Sequence, residues 1–146
     1  MPLDNTRVAL FVADLYEDLE FWYPRIRLKE EGAEVVVVGP REGTFSGKRG
    51  LTAEAHRSID DVHPRDFAAL VIPGGYSPDQ MRRSPPMVDF VAAMHEDGKP
   101  IAAICHAGWM LVSAGIVKGR RVTSFHSIRD DMENAGAEWV DEEVVE

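Results

Sequence analysis

Only one cysteine stands among the 146 residues, so no disulfide can close within the chain and the fold gains nothing from an oxidising compartment. That favours a reducing interior, and the expected location is cytoplasmic. Basic residues are also scarce: 16 Lys and Arg face 25 Asp and Glu, for a formal charge of -9. Such a surface repels a phosphate backbone or anionic headgroups, so neither nucleic acid nor a membrane is an expected partner. The one local basic group, Lys118, Arg120 and Arg121 around Gly119, reads as a solvated turn before a strand. Long apolar runs are missing too. The opening "MPLDNTRVALFVADLYED" carries Asp4 early and is cut by Asp14, which fits neither a secretory signal nor a membrane span of about 20 residues. There is no G-x-G-x-x-G fingerprint or Walker loop to hold a nucleotide. His56, His63, His95, His106 and His126 show no metal-ligand spacing with one another or with Cys105, so no cofactor and no metal are expected.

A 45% hydrophobic content is sufficient for one core, and the whole chain, 1–146, reads as one domain. Short apolar segments at 7–13, 33–39, 67–75, 99–105 and 120–125 alternate with helical patterns. Strands apolar on both faces imply a parallel sheet covered by helices on both sides. In 15–32, Leu15, Leu19, Trp22 and Ile26 fall at helical spacing, with Gly32 as the stop and Pro24 expected to turn or kink the segment and open its longer part. A second helix follows Ser84, with Val88, Val91 and Met94 on one face and Gly98 as its end, and a third runs from Ile128 to Asn134. The glycine-marked stretch 41–62 reads as a small hairpin excursion. The expected architecture is a doubly wound α/β three-layer sandwich with a mainly parallel, flavodoxin-like sheet, whose ligands bind at the strands' C-terminal edge.

Two features fall on that edge: "PGG" (Pro73, Gly74, Gly75) and "CHAGW" (105–109). By composition a lone cysteine is most often an inert, buried residue. Here a strand ending at Ile104 is followed at once by a helical pattern, which places Cys105 in a nucleophile elbow. An elbow projects the side chain from the sheet edge and aims unpaired helix N–H groups at the sulfur, favouring the thiolate. His106 is the nearest candidate base, although neighbours at a helix start diverge in direction. Gly74 and Gly75 are candidates to turn amides toward a substrate oxygen, with the His106 amide completing an oxyanion hole. His126, after a strand end, is a further candidate for the same pocket. Of Asp14, Glu17, Asp18 and Glu20, one is a candidate to turn inward and steady the sulfur, and the residues alone do not choose among them.

The stretches "YEDLEFWYPRIRLKEEGAEV", "ALVIPGGYSPDQMR", "GKPIAAICHAGWMLVSAG", "VKGRRVTS" and "SIRDDMENAGAEWVDEEVV", in this order, make the whole chain resemble the PfpI/ThiJ family of the class I glutamine amidotransferase-like superfamily. The resemblance implies that Cys105 is the nucleophile with His106 beside it. It implies that Glu17 hydrogen-bonds the cysteine and that the amides of Gly75 and His106 form the oxyanion site. It also implies that Asp79, where relatives often carry Glu, reaches the histidine of a second subunit, so a homodimer or larger homo-oligomer is expected. "CHAGW" departs from the Cys-His-Gly-Pro of many relatives. Relatives continue past "EWVDEEVV", so the domain is expected to lack their C-terminal strand and helix.

The activities implied by the resemblance share thiolate attack on a carbonyl. The first expectation is a stress-related cysteine enzyme acting on small reactive carbonyls or glycated substrates, in the manner of a glyoxalase III or deglycase. The alternatives are an intracellular cysteine peptidase acting on peptides, and a redox sensor or chaperone-like stress protein in which Cys105 is oxidised.

Overall fold

The computed structural model describes residues 1–146. β1 (Arg7–Phe11) is the middle strand of a parallel sheet, flanked by β2 (Glu34–Gly39) and by β6 (Ala69–Ile72). β7 (Ile101–Ala103) adds outside β6, and β5 (Arg57–Ser58) adds outside β2, giving the order β5-β2-β1-β6-β7. Alternation along β1 and its continuation explains why this run is apolar on both faces. Ala9, Phe11 and Ala13 point into one buried cluster with Phe90, Val91, Met94 and Met110, whereas Leu10 and Val12 point into another with Tyr16, Phe21, Phe45 and Ala53. Such a doubly covered sheet is the α/β sandwich of the sequence reading.

The first cluster is closed by α3 (Pro85–Glu96) and α4 (Gly108–Ser113), the second by α1 (Asp18–Glu30) and the hairpin of β3 (Gly43–Ser46) with β4 (Thr52–Ala55). The hairpin is the excursion anticipated for 41–62. α3 has Pro at its start and Gly98 (φ 67) at its end. Its buried side is Met87, Phe90, Val91 and Met94. A short α2 (Ser77–Met81) follows the double glycine, and α5 (Arg129–Asn134) packs against α4 through Met132.

Three expectations are corrected. α1 runs unbroken through Pro24. A mid-helix proline removes one i→i−4 bond, at a cost of about 3 kcal/mol, and tertiary burial of α1 offsets that loss. The same burial rotates the helix away from its expected face: Asp18 and Phe21 turn inward, leaving Leu19, Tyr23 and Ile26 exposed. The segment 120–125 does not join the main sheet. Only β8 (Arg121–Val122) is a strand, paired in parallel with β9 (Glu138–Trp139) in a separate ribbon. Beyond Val122 the chain bends over the end of β7, and the Phe125 amide donates to the Cys105 carbonyl at 3.1 Å.

Candidate functional site

The cysteine elbow is built at the end of β7. Ile104 is still extended, Cys105 takes φ 61, and a 3-10 turn over Cys105–Ala107 leads into α4. A left-handed conformation at a non-glycine residue costs about 1–2 kcal/mol. It persists because the surroundings hold it: the Ile104 amide bonds the Ile72 carbonyl, the Ala107 amide bonds the Ile104 carbonyl, and the Phe125 amide bonds the Cys105 carbonyl. The "HAGW" departure leaves this backbone ordinary, since Ala107 has φ -62 and Gly108 φ -51. Gly108 is needed for packing, because a Cβ there would lie 2.8 Å from the Met132 sulfur.

Opposite the elbow, the loop after β1 crosses the loop after β6. Tyr16 bridges Gly75, the Glu17 amide donates to the Gly74 carbonyl, and the Tyr76 amide donates to the Leu15 carbonyl. The crossing is too close for side chains. A Cβ on Gly75, whose φ is 75, would come within 2.5 Å of both Leu15 O and Glu17 N. A Cβ on Gly74 would meet Glu20 Oε2 at 2.6 Å and the Cys105 Cβ at 2.7 Å. The double glycine thus lets α1 bring a carboxyl to the cysteine.

Around the sulfur, His106 Nδ1 lies 3.1 Å from Sγ, and the backbone amides of Gly75 and His106 and the Glu20 carboxyl stand near enough to act on it. Burial pushes the Cys105 thiol above its ordinary value, and the neighbouring Glu20 adds to this, while the two amides pull against it without prevailing. Burial also raises Glu20, opposed by the Gly74 amide, which donates to Oε2 at 2.8 Å. Burial and then the Lys48 cation hold His106 below the usual histidine value. Both shifts favour the neutral forms, the thiol over the thiolate at Cys105 and the imidazole over the imidazolium at His106.

Cys105, His106 and Gly75 are brought together. Glu17 is not on the sulfur: it stands just before α1 without a side-chain capping bond and faces Lys48 Nζ at 3.4 Å and Arg49 at 3.8 Å, while Glu20, one helical turn further on, takes the place expected of it. Gly74 is not a free oxyanion donor, because its N–H is committed to Glu20. Asp79 sits on α2 with an exposed side chain paired to Arg83 at 3.2 Å, and it does not line the cavity of this chain. His126 does not line it either, and its ring packs on Phe125.

The cavity over Cys105 has a volume of about 700 Å3 and is lined by residues with no individual signal in the sequence, among them Lys48, Tyr76, Phe125 and Ser127. Lys48 arrives from the hairpin tip, which the buried Asp18 pins by accepting from the Arg49 amide at 2.9 Å and the Leu51 amide at 3.1 Å. Its ammonium lies 5.0 Å from the centre of the Tyr76 ring. Phe125 stacks on the His106 ring at 5.0 Å, Trp109 meets the same ring edge-on at 5.1 Å, and Ser127 Oγ lies 3.1 Å from His106 Nε2. No helix is long and apolar enough to cross a membrane.

The DJ-1/PfpI family model matches residues 6–146. A deglycase from Thermococcus kodakarensis is 49% identical over 139 residues, covering 95% of this chain and 84% of that protein. General stress protein 18 of Bacillus subtilis is 46% identical over 142 residues, covering 95% of this chain and 82% of that one. Among solved structures, a two-domain protein from Anabaena variabilis with DJ-1/ThiJ/PfpI-like and ferritin-like domains superposes with a TM-score of 0.94 at 42% identity, over 97% of this chain and 41% of that one.

Proposed function

Since the chain belongs to the DJ-1/PfpI family, we propose that it is a cysteine-dependent stress enzyme of the deglycase type, acting on small reactive carbonyls and their adducts. The carrying observation is the convergence on one sulfur of two backbone N–H groups, an imidazole nitrogen and a carboxyl. A cavity of about 700 Å3 is in the range of small-molecule sites, about 300–1,000 Å3, and favours a compact carbonyl over an extended peptide.

For an α-oxoaldehyde, the sulfur attacks the aldehyde carbon while the thiol proton passes to His106 Nδ1 and the carbonyl electron pair moves to oxygen. The Gly75 and His106 amides hold that oxyanion. The hydrogen on the attacked carbon then leaves as a proton to the Glu20 carboxylate, which returns it to the neighbouring carbon, while the His106 imidazolium protonates the oxygen on that carbon. This internal redox step converts the hemithioacetal into a thioester without an external oxidant. Water releases a 2-hydroxycarboxylic acid and restores the thiol. Neutral forms of both partners suit this sequence, because the thiolate forms only as the proton moves. Asp79 enters only if a second copy of the chain carries it to His106.

The test is methylglyoxal consumption with lactate measured as product. Wild type is expected to turn over and Cys105→Ser to lose that rate. Equal rates in both would refute the proposal, and casein cleavage by wild type without lactate formation would transfer the site to the peptidase reading.

A further inference from the structure

We propose that Ser127 is a positioning residue which fixes the His106 imidazole with its Nδ1 lone pair toward Cys105, so that the acid–base pair is assembled within a single chain. This rests on the reading of Cys105 and His106 as the reacting pair. Each ring nitrogen has one partner: Sγ lies 3.1 Å from Nδ1 and the Ser127 hydroxyl oxygen 3.1 Å from Nε2. A neutral imidazole has a single N–H. Placed on Nδ1, that hydrogen would point at the thiol and leave no lone pair to accept its proton. Placed on Nε2, it is donated to Ser127 Oγ, and Nδ1 is left free to receive the proton from sulfur. After transfer the imidazolium donates from Nδ1 to the thiolate and from Nε2 to Ser127. The hydroxyl oxygen accepts in both states, so nothing need move during the step.

The surrounding rings leave one freedom, which the contacts at the two ring nitrogens remove. Phe125 stacked at 5.0 Å and Trp109 edge-on at 5.1 Å define the plane of the imidazole, but a half-turn within that plane would exchange nitrogens for carbons at nearly equal packing energy. The contact to Oγ, like that to Sγ, selects one of the two orientations. Ser127 is itself held by the 3-10 turn His126–Ile128, anchored at one end by the Phe125 amide on the Cys105 carbonyl and at the other by the buried Ile128. Asp79 makes no such contact within the chain.

The test uses protein labelled with 15N at histidine, with the His106 signals assigned by their loss in His106→Gln. Wild type is expected to show the Nε2–H tautomer, Ser127→Ala a mixture, and Ser127→Thr the wild-type tautomer again. In parallel, Cys105 alkylation by iodoacetamide is followed against pH. The Ser127→Ala rate is expected to fall by about tenfold below the thiol midpoint, a part of the ~10²–10⁴ that a positioned base supplies. It should match wild type above that midpoint, where the thiol ionises unaided, and Ser127→Thr should restore the low-pH limb. A wild-type tautomer and alkylation profile in Ser127→Ala would overturn the proposal. Absence of lactate formation in wild type, with these responses intact, would refute the carbonyl activity and leave the role of Ser127 standing.

Discussion

Replacing Gly75 by alanine is the most demanding test of how the two crossing loops build the site. The new Cβ would fall 2.5 Å from Leu15 O and from Glu17 N, and 2.8 Å from the Tyr16 carbonyl carbon, all of them backbone atoms without rotamers to yield. The residue would also carry φ 75, at about 1–2 kcal/mol. To relieve the contacts the crossing must open, which threatens the bonds from the Glu17 amide to the Gly74 carbonyl and from the Tyr76 amide to the Leu15 carbonyl. Each is worth about 1 kcal/mol, so the total loss is about 3–4 kcal/mol. For a domain of this size each kcal/mol lowers Tm by about 2–4 °C, and the melting temperature should drop by roughly 10 °C. Gly98 supplies the control. It has a similar φ of 67 with nothing within 4 Å of the added carbon, so Gly98→Ala should show the conformational cost alone, about 1–2 kcal/mol. The measurement is thermal unfolding of both variants by circular dichroism, with lactate formation assayed in the same samples. Equal destabilisation by the two substitutions, or full activity in Gly75→Ala, would refute the crossing geometry and the role of the Gly75 amide.

Glu20→Gln removes a negative charge facing the sulfur, so the pH midpoint of Cys105 alkylation should move down while lactate formation falls through loss of the proton carrier. Because folding raises the Glu20 value, its contribution to stability is complete below the ordinary glutamate range and is lost as pH rises through the raised value. Urea unfolding should therefore show wild type losing stability relative to Glu20→Gln across that window, and parallel curves would count against a buried Glu20. Lys48→Gln takes away a cation that holds His106 down, so the His106 titration followed by NMR should move up but stay below the usual value, since burial is the larger cause. Asp18→Asn leaves one oxygen for the two amides of Arg49 and Leu51. It should cost about 1–3 kcal/mol and speed hydrogen exchange at those two amides; unchanged exchange would mean that the carboxyl does not hold the hairpin tip.

The parts of the molecule legible in the sequence are those written in neighbouring residues. A strand buried on both faces shows as the continuous run 7–13, an elbow shows as a strand meeting a helix at Cys105, and a hairpin shows as glycines around an alternating stretch. The acid at the sulfur was not legible, because Glu17 and Glu20 differ only in helical phase. That phase was set by a distant event, the burial of Asp18 under the hairpin tip, which also turned Leu19 and Ile26 outward against the apolar periodicity. Lys48 and Ser127 reach the cavity from turns in which no period constrains them. The strand expected at 120–125 stops at Val122 for a related reason: the next residues carry the ring and the hydroxyl that confine His106. Local pattern predicted a continued strand, and the contacts with the elbow determine where it ends.

The turn between β3 and β4 is exposed and short, the sort of place where an engineer would graft an epitope or a linker. In this protein such a graft would pull the 49 and 51 amides off the Asp18 carboxyl and carry Lys48 away from Glu17 and the Tyr76 ring. Damage would then appear at a cysteine in another part of the chain, with the inserted sequence far from it. Foreign residues are better placed after α3, beside Gly98, where the added carbon meets nothing.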